Sequence, residues 1–398
     1  MTSARPATSR RSTEPWLEDL PEHWTVVPMQ RVVRFGNGAD YKDLEVSKGG
    51  YPVYGSGGIF SRASTYLYDG ESVLFGRKGT IDRPLYVRGK FWTVDTMYFT
   101  VPSPAVFPKY LYYVATTIPF GYYTTSTALP SMTSSDLGRH RMPLPPLGEQ
   151  RRIADFLDAE TAQIDALIAE QGHFIALLRE RRTTEIARVV QGDPTWPLLR
   201  LSWLFNRIGS GTTPPADSIL PAGQGSHQWV TTSELREVGI TETKQTLSEG
   251  TVRSTPALRV FPAGTLLIAM YGATIGRLGW LETAATTNQA CCAFAEPRGV
   301  TTRWAYYCLL AAKPALLLLA SGGGQPNINQ DKLRSMRIRV PPLGEQNRLT
   351  AYLDTQGARV DALIAEAEHN IALSKERKAA LITAAVTGRI DVSTRSAA

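Results

Sequence analysis

Cysteine is scarce in this 398-residue chain, and the three present, Cys291, Cys292 and Cys308, are odd in number and form no C-x-x-C pair. A disulfide framework or a thiolate zinc site is therefore not expected, and the chain reads as a cytoplasmic protein of a reducing compartment. The five histidines (His23, His140, His173, His227, His369) are scattered, with no H-x-H or H-E-x-x-H spacing, so no metal ligands are assigned. Long apolar runs are missing too. The run at Ala315–Ala320 falls far short of the roughly 20 residues a bilayer crossing takes, so no membrane association is expected. The first fourteen residues are rich in Ser, Thr and Arg and lead into no apolar stretch, which suggests a disordered tail at 1–14 rather than a signal peptide.

Catalytic signatures are equally thin. No G-x-x-x-x-G-K-[ST] phosphate loop occurs, nor an [ND]-P-P-[YF] loop able to hold the amino group of an extruded adenine. Arg34–Gly38 (RFGNG) looks like a cofactor glycine loop, but it enters no convincing βαβ unit and reads better as a turn. No catalytic residue is assigned. What the chain does have is charge of one sign in excess, 43 Lys+Arg against 36 Asp+Glu, which favours a polyanionic partner.

It also has a repeat. PPLGEQ stands at Pro145–Gln150 and again at Pro341–Gln346, 196 positions later, and the same offset carries Ile164–Glu170 (IDALIAE) onto Val360–Glu366 (VDALIAE). After each hexapeptide the apolar period changes to heptads. Ile153, Leu157, Glu160, Ile164, Leu167, Gln171, Phe174 and Leu178 form the expected seam of the first helix. Leu349, Leu353, Gln356, Val360, Leu363, Ala367, Asn370 and Ser374 form that of the second, with Ile364, Ile371 and Leu373 taking over where it weakens. Gly192 and Gly388 sit where a C-cap glycine belongs, so each helix should run about 40 residues, or about 60 Å at 1.5 Å per residue.

The intervening segments repeat more loosely. Arg34–Gly38 answers Arg207–Gly211, Gly70–Ile81 answers Gly264–Ile275, and Tyr110–Ala115 answers Trp304–Leu310, with about 21 extra residues inside Thr212–Pro262 of the second copy. Short apolar or alternating runs broken by Gly and Pro indicate mostly β structure, with helices near Tyr110–Thr117 and Trp304–Ala320 and an interior strand over Thr286–Ala293. The expected organisation is a tail at 1–14, a globular domain at 15–144, a helical spacer at 145–192, a second globular domain at 193–340, a second spacer at 341–390 and a tail at 391–398. The fold class is α+β: two mixed, mostly β domains separated by two long antiparallel coiled-coil helices, with a pseudo-two-fold internal repeat. Trp16, Leu17, Leu20 and Trp24 should pack on a helix end beside Pro145–Leu147, with Pro194–Leu199 serving the second domain likewise.

Helices alone could serve only oligomerisation, in a scaffold whose globular domains bind proteins. A constant spacer between two diverged domains favours a ruler with two different reading heads, suited to a bipartite DNA target whose half-sites lie a fixed distance apart. The motifs PLPPLGEQRRIADFLDAETAQIDALIAE and VPPLGEQNRLTAYLDTQGARVDALIAE, with WLEDLPEHW, YPVYGSGGI, YGATIG and TNQA, closely resemble the specificity subunit of type I restriction-modification systems. The resemblance spans nearly the whole chain. It implies two target-recognition domains that each read half of a split, asymmetric double-stranded DNA sequence, and helices that space them and recruit two methyltransferase subunits. Those subunits would bind S-adenosylmethionine and methylate adenine N6, while motor-nuclease subunits using ATP and Mg would translocate and cut. The chain itself would be non-catalytic and carry no cofactor.

DNA contacts call for Arg or Lys toward guanine and phosphate and for amides toward adenine. In the first domain the candidates are Tyr54, Ser56, Arg62, Arg77 and Lys78, with Lys42 and Lys48 toward phosphate. In the second, where GRKGTI becomes MYGATI and both charges vanish, they are Thr212, Thr213, Thr232, Ser233, Tyr271, Arg277, Gln325 and Asn327. Asn288 and Gln289, on the expected interior strand, are read as satisfying a buried network. Phe156, Ile168, Ile175, Arg179 and Arg182, outside the expected seam, are candidates for binding a partner subunit.

Overall fold

The computed structural model describes residues 9–10, 16–17, 20–123, 130–318 and 327–392. Gln325 lies outside these residues. The chain divides into two compact units, one made of Met1–Gly172 with Glu368–Ala398, the other of His173–Ala367. Each unit holds one globular part, the first half of one long helix and the second half of the other.

In the first unit, six strands order as Val33–Asn37, Met97–Pro102, Tyr68–Gly76, Leu85–Thr93, Tyr51–Gly55 and Gly58–Ala63. All neighbours are antiparallel except Tyr51–Gly55 beside Leu85–Thr93. The last two strands form a hairpin whose tip is Ser56-Gly57, because Gly55 pairs with Gly58. The helix Pro108–Ala115 buries Tyr110, Leu111, Val114 and Ala115 against this sheet.

In the second unit, a five-stranded sheet orders as Phe205–Gly209, Cys291–Pro297, Leu266–Ala269, Leu278–Leu281 and Gly239–Ile240. A four-stranded sheet, Ile219–Pro221, Gln245–Leu247, His227–Val230 and Ala285–Thr287, draws three strands from the stretch carrying the extra residues. The expected helix at Trp304–Ala320 is two pieces, Thr302–Ala311 and Lys313–Leu318, and the remainder lies outside the described residues. The expected strand over Thr286–Ala293 is also interrupted: Ala285–Thr287 ends one sheet and Cys291–Pro297 begins in the other, so Asn288–Ala290 form a connecting loop.

The long helices span Leu147–Gln191 and Leu343–Val386, 45 and 44 residues, slightly longer than the heptads suggested. Gly192 and Gly388 follow with φ of 43° and 71°, the left-handed conformation of a C-cap. A Cβ on Gly192 would lie 2.0 Å from the Trp196 ring, and one on Gly388 would lie 2.5 Å from Pro21 and 3.2 Å from the Trp24 ring. The caps are thus also seats for tryptophans.

Within each unit the two helix halves run antiparallel. In the first, Ile153, Ala154 and Leu157 share a core with Ile382, Ala385 and Val386, while Lys378 Nζ donates to both oxygens of Asp165 at 2.7 and 2.6 Å. In the second, Arg182 pairs with Asp361 at 2.7 Å and the Tyr352 hydroxyl donates to Glu185 at 2.8 Å. The 196-residue offset carries the Arg182–Asp361 pair onto Lys378–Asp165, so the duplication preserves a cross-helix ion pair as well as an apolar pattern.

The seam itself departs from expectation by one residue at alternate positions. Leu157, Ile164 and Leu178 are buried as expected, but Leu167 and Phe174 are 46% and 41% exposed, and Ile175 is 7% exposed. The buried or half-buried track is 154, 157, 161, 164, 168, 171, 175, 178 in the first helix, and the same track shifted by 196 in the second. Both tracks satisfy a 3.5-residue period, and Leu167-Ile168 and Phe174-Ile175 are adjacent apolar pairs, so periodicity alone could not choose. In the second helix Ile364 and Ile371 do take part, whereas Leu363 and Leu373 are exposed.

The repeated hexapeptide now has a physical reason. Gln150 is fully buried; its Oε1 accepts from the Phe107 N–H at 2.7 Å, and its Nε2 donates to the carbonyls of Ala105 (3.0 Å) and Pro145 (2.8 Å). Gln346 makes the same three bonds, from Thr301 N–H (2.7 Å) and to Gly299 (3.0 Å) and Pro341 (2.8 Å). One glutamine therefore locks each long helix's first turn to the loop that opens a short helix of the globular part, Pro108–Ala115 or Thr302–Ala311, satisfying backbone groups that burial would otherwise strand.

A second duplicated lock follows about two turns on. Asp158 accepts from the Tyr113 hydroxyl at 2.5 Å and pairs with Lys109 at 3.1 Å, and the Lys109 ammonium lies 4.6 Å above the Tyr86 ring. Asp354 receives Tyr307 at 2.5 Å and Arg303, whose guanidinium lies 4.1 Å above the Trp280 ring. Burial and the carboxylate push both tyrosine hydroxyls, Tyr113 and Tyr307, well up, so they remain donors.

The N-terminal segment packs as its sequence suggested. Leu17, Leu20 and Trp24 are buried in the first core, and Trp24 Nε1 donates to Glu149 at 3.1 Å. Of the expected N-terminal tail, Ser9–Arg10 pair with Leu20–Pro21, and the rest of 1–14 lies outside the described residues. At the other end Val392, within the stretch read as a tail, is buried in the same core.

Candidate nucleic-acid interface

In the first unit four loops are stitched together by backbone hydrogen bonds around Val94–Thr96. The Thr96 carbonyl accepts from Arg77 N–H at 2.8 Å, Val94 N–H donates to the Tyr54 carbonyl at 3.2 Å, and Gly38 and Ala39 donate to Met97 and Thr93 at 2.9 Å. Arg77 in turn accepts from Met132 at 3.1 Å, and Lys78 forms a bridge with Ser131. The hairpin tip after Tyr54, the Arg77-Lys78 loop and the segment at Pro130–Met132 therefore surround one connection.

The second unit builds the same knot. Met270 N–H donates to Ala290 (2.8 Å), Asn288 to Val230 (2.9 Å) and Ile328 to Met270 (2.9 Å), and Tyr271 bridges Asn327. Gly38 and Gly211 occupy equivalent positions for a common reason that has nothing to do with positive φ. A Cβ on either would stand 1.8 Å from a carbonyl oxygen, that of Val94 or of Thr287, so only glycine lets the backbones pass.

On this shared backbone the side chains differ. The first knot presents Ser56, Arg77, Lys78 and Asp95; the second presents Thr232, Ser233, Tyr271, Gln289 and Asn327. Asp95 and Gln289 are exposed at matching places in the central loop. Sequence reading missed the first and misassigned the second. Gln289 is no member of a buried network: it is exposed, and its Oε1 accepts from Thr213 Oγ1 at 2.6 Å, leaving its amide N–H groups outward. Placing Thr286–Ala293 on one strand hid it, whereas the 194-residue offset to Asp95 could have found both.

The candidates fall into three groups. Arg77, Lys78 and Ser56 converge in the first knot, as do Thr212, Thr213, Thr232, Ser233, Tyr271 and Asn327 in the second, although the Thr212 carbonyl is engaged by Trp229 Nε1 at 3.2 Å. Arg277 is exposed on the loop after Tyr271, and Lys42 and Lys48 are exposed on the segment before the hairpin. Tyr54 and Arg62 are otherwise occupied. The Tyr54 ring meets Phe91 edge-on at 6.0 Å, and Arg62 donates to the carbonyls of Gly50 (2.9 Å) and Gly49 (3.4 Å), anchoring their loop.

The helix candidates need correcting, because they were chosen as lying outside the seam. Ile175 is buried and Ile168 half-buried on the observed seam, Phe156 packs against the first core, and Arg182 is held by Asp361. Arg179 is exposed. Outward apolar residues along the middle of the first helix include Leu167, Phe174 and Leu177.

In the second unit the knot borders a cleft of about 690 Å³ lined by Ser210, Thr212, Tyr271, Gln289, Asn327 and Gln330, with two arginines that sequence reading passed over, Arg259 and Arg334. Arg334 Nη1 donates to the Ile208 carbonyl at 3.5 Å. Beneath it, burial pushes the Cys292 thiol up to about 12, and Cys291 and Cys308 are raised likewise, so the cysteines are protonated packing groups at neutral pH. Among the described residues no three His, Cys, Asp or Glu cluster as metal ligands, and no helix is long and apolar enough to cross a membrane.

Residues 21–171 and 195–371 match the family model for the type I restriction modification DNA specificity domain. A putative type I restriction enzyme specificity subunit of Haemophilus influenzae is 24% identical over 383 residues, covering 87% of this chain and 90% of that protein. The EcoR124I/EcoR124II specificity subunit of Escherichia coli is 22% identical over 265 residues, 62% of each. Among solved structures, a chain from work on complex assembly and conformational transition of the type I R-M system superposes with TM-score 0.76 at 19% identity, covering 93% of this chain and 99% of that one. The HsdS subunit of Thermoanaerobacter tengcongensis gives TM-score 0.52 at 19% identity, covering 93% and 98%. With two matched copies spanning most of its length, one per unit, the chain belongs to the type I restriction modification DNA specificity family.

Proposed function

We propose that this chain is the DNA-reading subunit of a type I restriction-modification complex and that each loop knot reads one half of a bipartite, asymmetric double-stranded sequence. The observation that carries this is the pairing of conserved scaffold with divergent tips. Similar cross-loop backbone bonds and equivalent close-approach glycines hold Arg77, Lys78 and Asp95 in one unit and Tyr271, Asn327 and Gln289 in the other. Arginine and lysine suit guanine and phosphate, aspartate suits the cytosine amino group, and asparagine suits adenine, so the half-sites differ.

On this reading the helix pair sets the unread spacer, and two methyltransferase subunits bind the chain and supply S-adenosylmethionine-dependent methylation of adenine N6. Motor-nuclease subunits add ATP- and Mg-dependent translocation and cleavage. The role of this chain's own residues is to orient the duplex, with no bond made or broken by them. The test is to express the chain with and without a methyltransferase subunit and map methylated adenines across the host genome. A split motif methylated only on co-expression is expected; methylation by the chain alone, or none with the partner present, would refute the reading.

A further inference from the structure

We propose that the cleft of the second unit is a phosphate seat, which grips the backbone of bound DNA rather than a base edge. The proposal rests on the DNA-reading function above and assigns that site's ligand chemistry. The cleft is lined by Arg259, Arg334, Tyr271, Gln289, Asn327 and Ser210 among others, and by no Asp or Glu at all. Arg259 is exposed and its guanidinium has no hydrogen-bond or ion-pair partner among the described residues. The Ser210 hydroxyl is buried with no hydrogen-bond partner. Gln289 has spent its acceptor on Thr213, so it too offers donors. A concave site with two guanidiniums, a waiting hydroxyl and free amide N–H groups, and no acceptor of formal charge, complements a ligand that only accepts: a phosphodiester oxygen pair.

The arrangement also answers the loss of charge seen in the sequence. The Arg77-Lys78 loop of the first unit becomes Tyr271-Gly272 in the second, removing two cations from the knot. Arg259 and Arg334 restore two to its border from other segments, and the first repeat has Gly138 where the second has Arg334. The second knot is thus bordered by positive charge supplied from segments outside its own loop.

Base and phosphate contacts leave different signatures. The complex of the full-length chain with its methyltransferase partner would be challenged with a randomised duplex pool, and the affinity for the recovered motif followed from about 50 to about 200 mM salt, for wild type, Arg259→Gln, Arg334→Gln and the control Arg253→Gln. Each lost phosphate contact flattens the salt dependence by roughly 0.9 in log–log slope, so the deficit of a variant should shrink about 3.5-fold over that range while the selected motif stays the same. Arg259→Lys should restore the wild-type slope, and the control should leave it unchanged. An unchanged slope with a relaxed base position would overturn the phosphate seat while leaving DNA reading intact. Absence of any selected motif for the wild-type complex would instead overturn the DNA-reading function. Thermal melting of each variant separates either outcome from misfolding, and Arg259, being exposed, is the variant that decides.

Discussion

Replacing Gln150 by leucine keeps the volume of the side chain and removes only its amide. Three bonds then disappear at once, to Phe107 N–H, Ala105 carbonyl and Pro145 carbonyl, and the backbone groups they served remain buried or partly buried. A lost hydrogen bond with a partner left unsatisfied costs about 1 kcal/mol where water can still reach and up to about 3 where it does not, so the total should be roughly 3–4 kcal/mol. For a unit of about 200 residues this lowers the melting temperature by about 6–15 °C. Gln150→Glu should lose no less, because a carboxylate would face two carbonyls. Gln346→Leu should cost a similar amount through Thr301, Gly299 and Pro341. Urea unfolding followed by tryptophan fluorescence, with the m-value checked for constancy, measures the difference. A loss under about 1 kcal/mol in both leucine variants would show that the repeated hexapeptide is kept for some reason other than this lock.

Four further expectations follow from the structure. Gly38→Ala or Gly211→Ala forces a methyl into a backbone carbonyl and should cost about 2 kcal/mol or more while weakening DNA binding, read by melting and by gel shift; wild-type values for both would remove the close-approach argument. Trp24→Ala empties a buried site and deletes the bond to Glu149, for an expected loss of about 3–5 kcal/mol in denaturant, and unaltered stability would count against the N-terminal segment as part of the core. His140 is buried, stacked on Trp16 at 5.2 Å and bonded to the Tyr123 hydroxyl at 2.7 Å, and burial lowers its pKa from 6.5 to about 4. Its contribution is complete above pH about 6.5 and is lost as pH falls toward 4, by at most about 3 kcal/mol, so His140→Gln should flatten the acid limb of the stability curve. Deleting seven residues between Ile164 and Leu178 together with the matching heptad of the second helix should shorten the unread spacer and leave both half-sites unchanged; altered half-sites with an unchanged spacer would contradict the ruler.

The long helices, their glycine caps and the tryptophan segments were legible in the sequence because each depends on local chemistry: a heptad period, a positive φ, an apolar cluster near a helix start. The seam's phase was not, because Leu167-Ile168 and Phe174-Ile175 offer two apolar tracks one residue apart and only the partner helix selects between them. The reading loops were found where glycine and charge mark them, at Arg77-Lys78 and Tyr271. Gln289 and Asp95 escaped because their loop lies between strands that looked continuous, and Arg259 and Arg334 escaped because they reach the cleft from segments far from any motif. The family was evident from the hexapeptide, yet the work done by its glutamine, three backbone bonds made twice, is visible only when Phe107 and Thr301 are seen beside it.

The decisive measurement is an exchange of residues 201–335 for the corresponding segment of a relative with a different target, in a chain co-expressed with its methyltransferase subunit, followed by genome-wide mapping of methylated adenine. If each unit reads on its own, one half of the motif is replaced while the other half and the spacing stay as they were. A motif altered in both halves, or in neither, would show that the two loop knots are not independent readers.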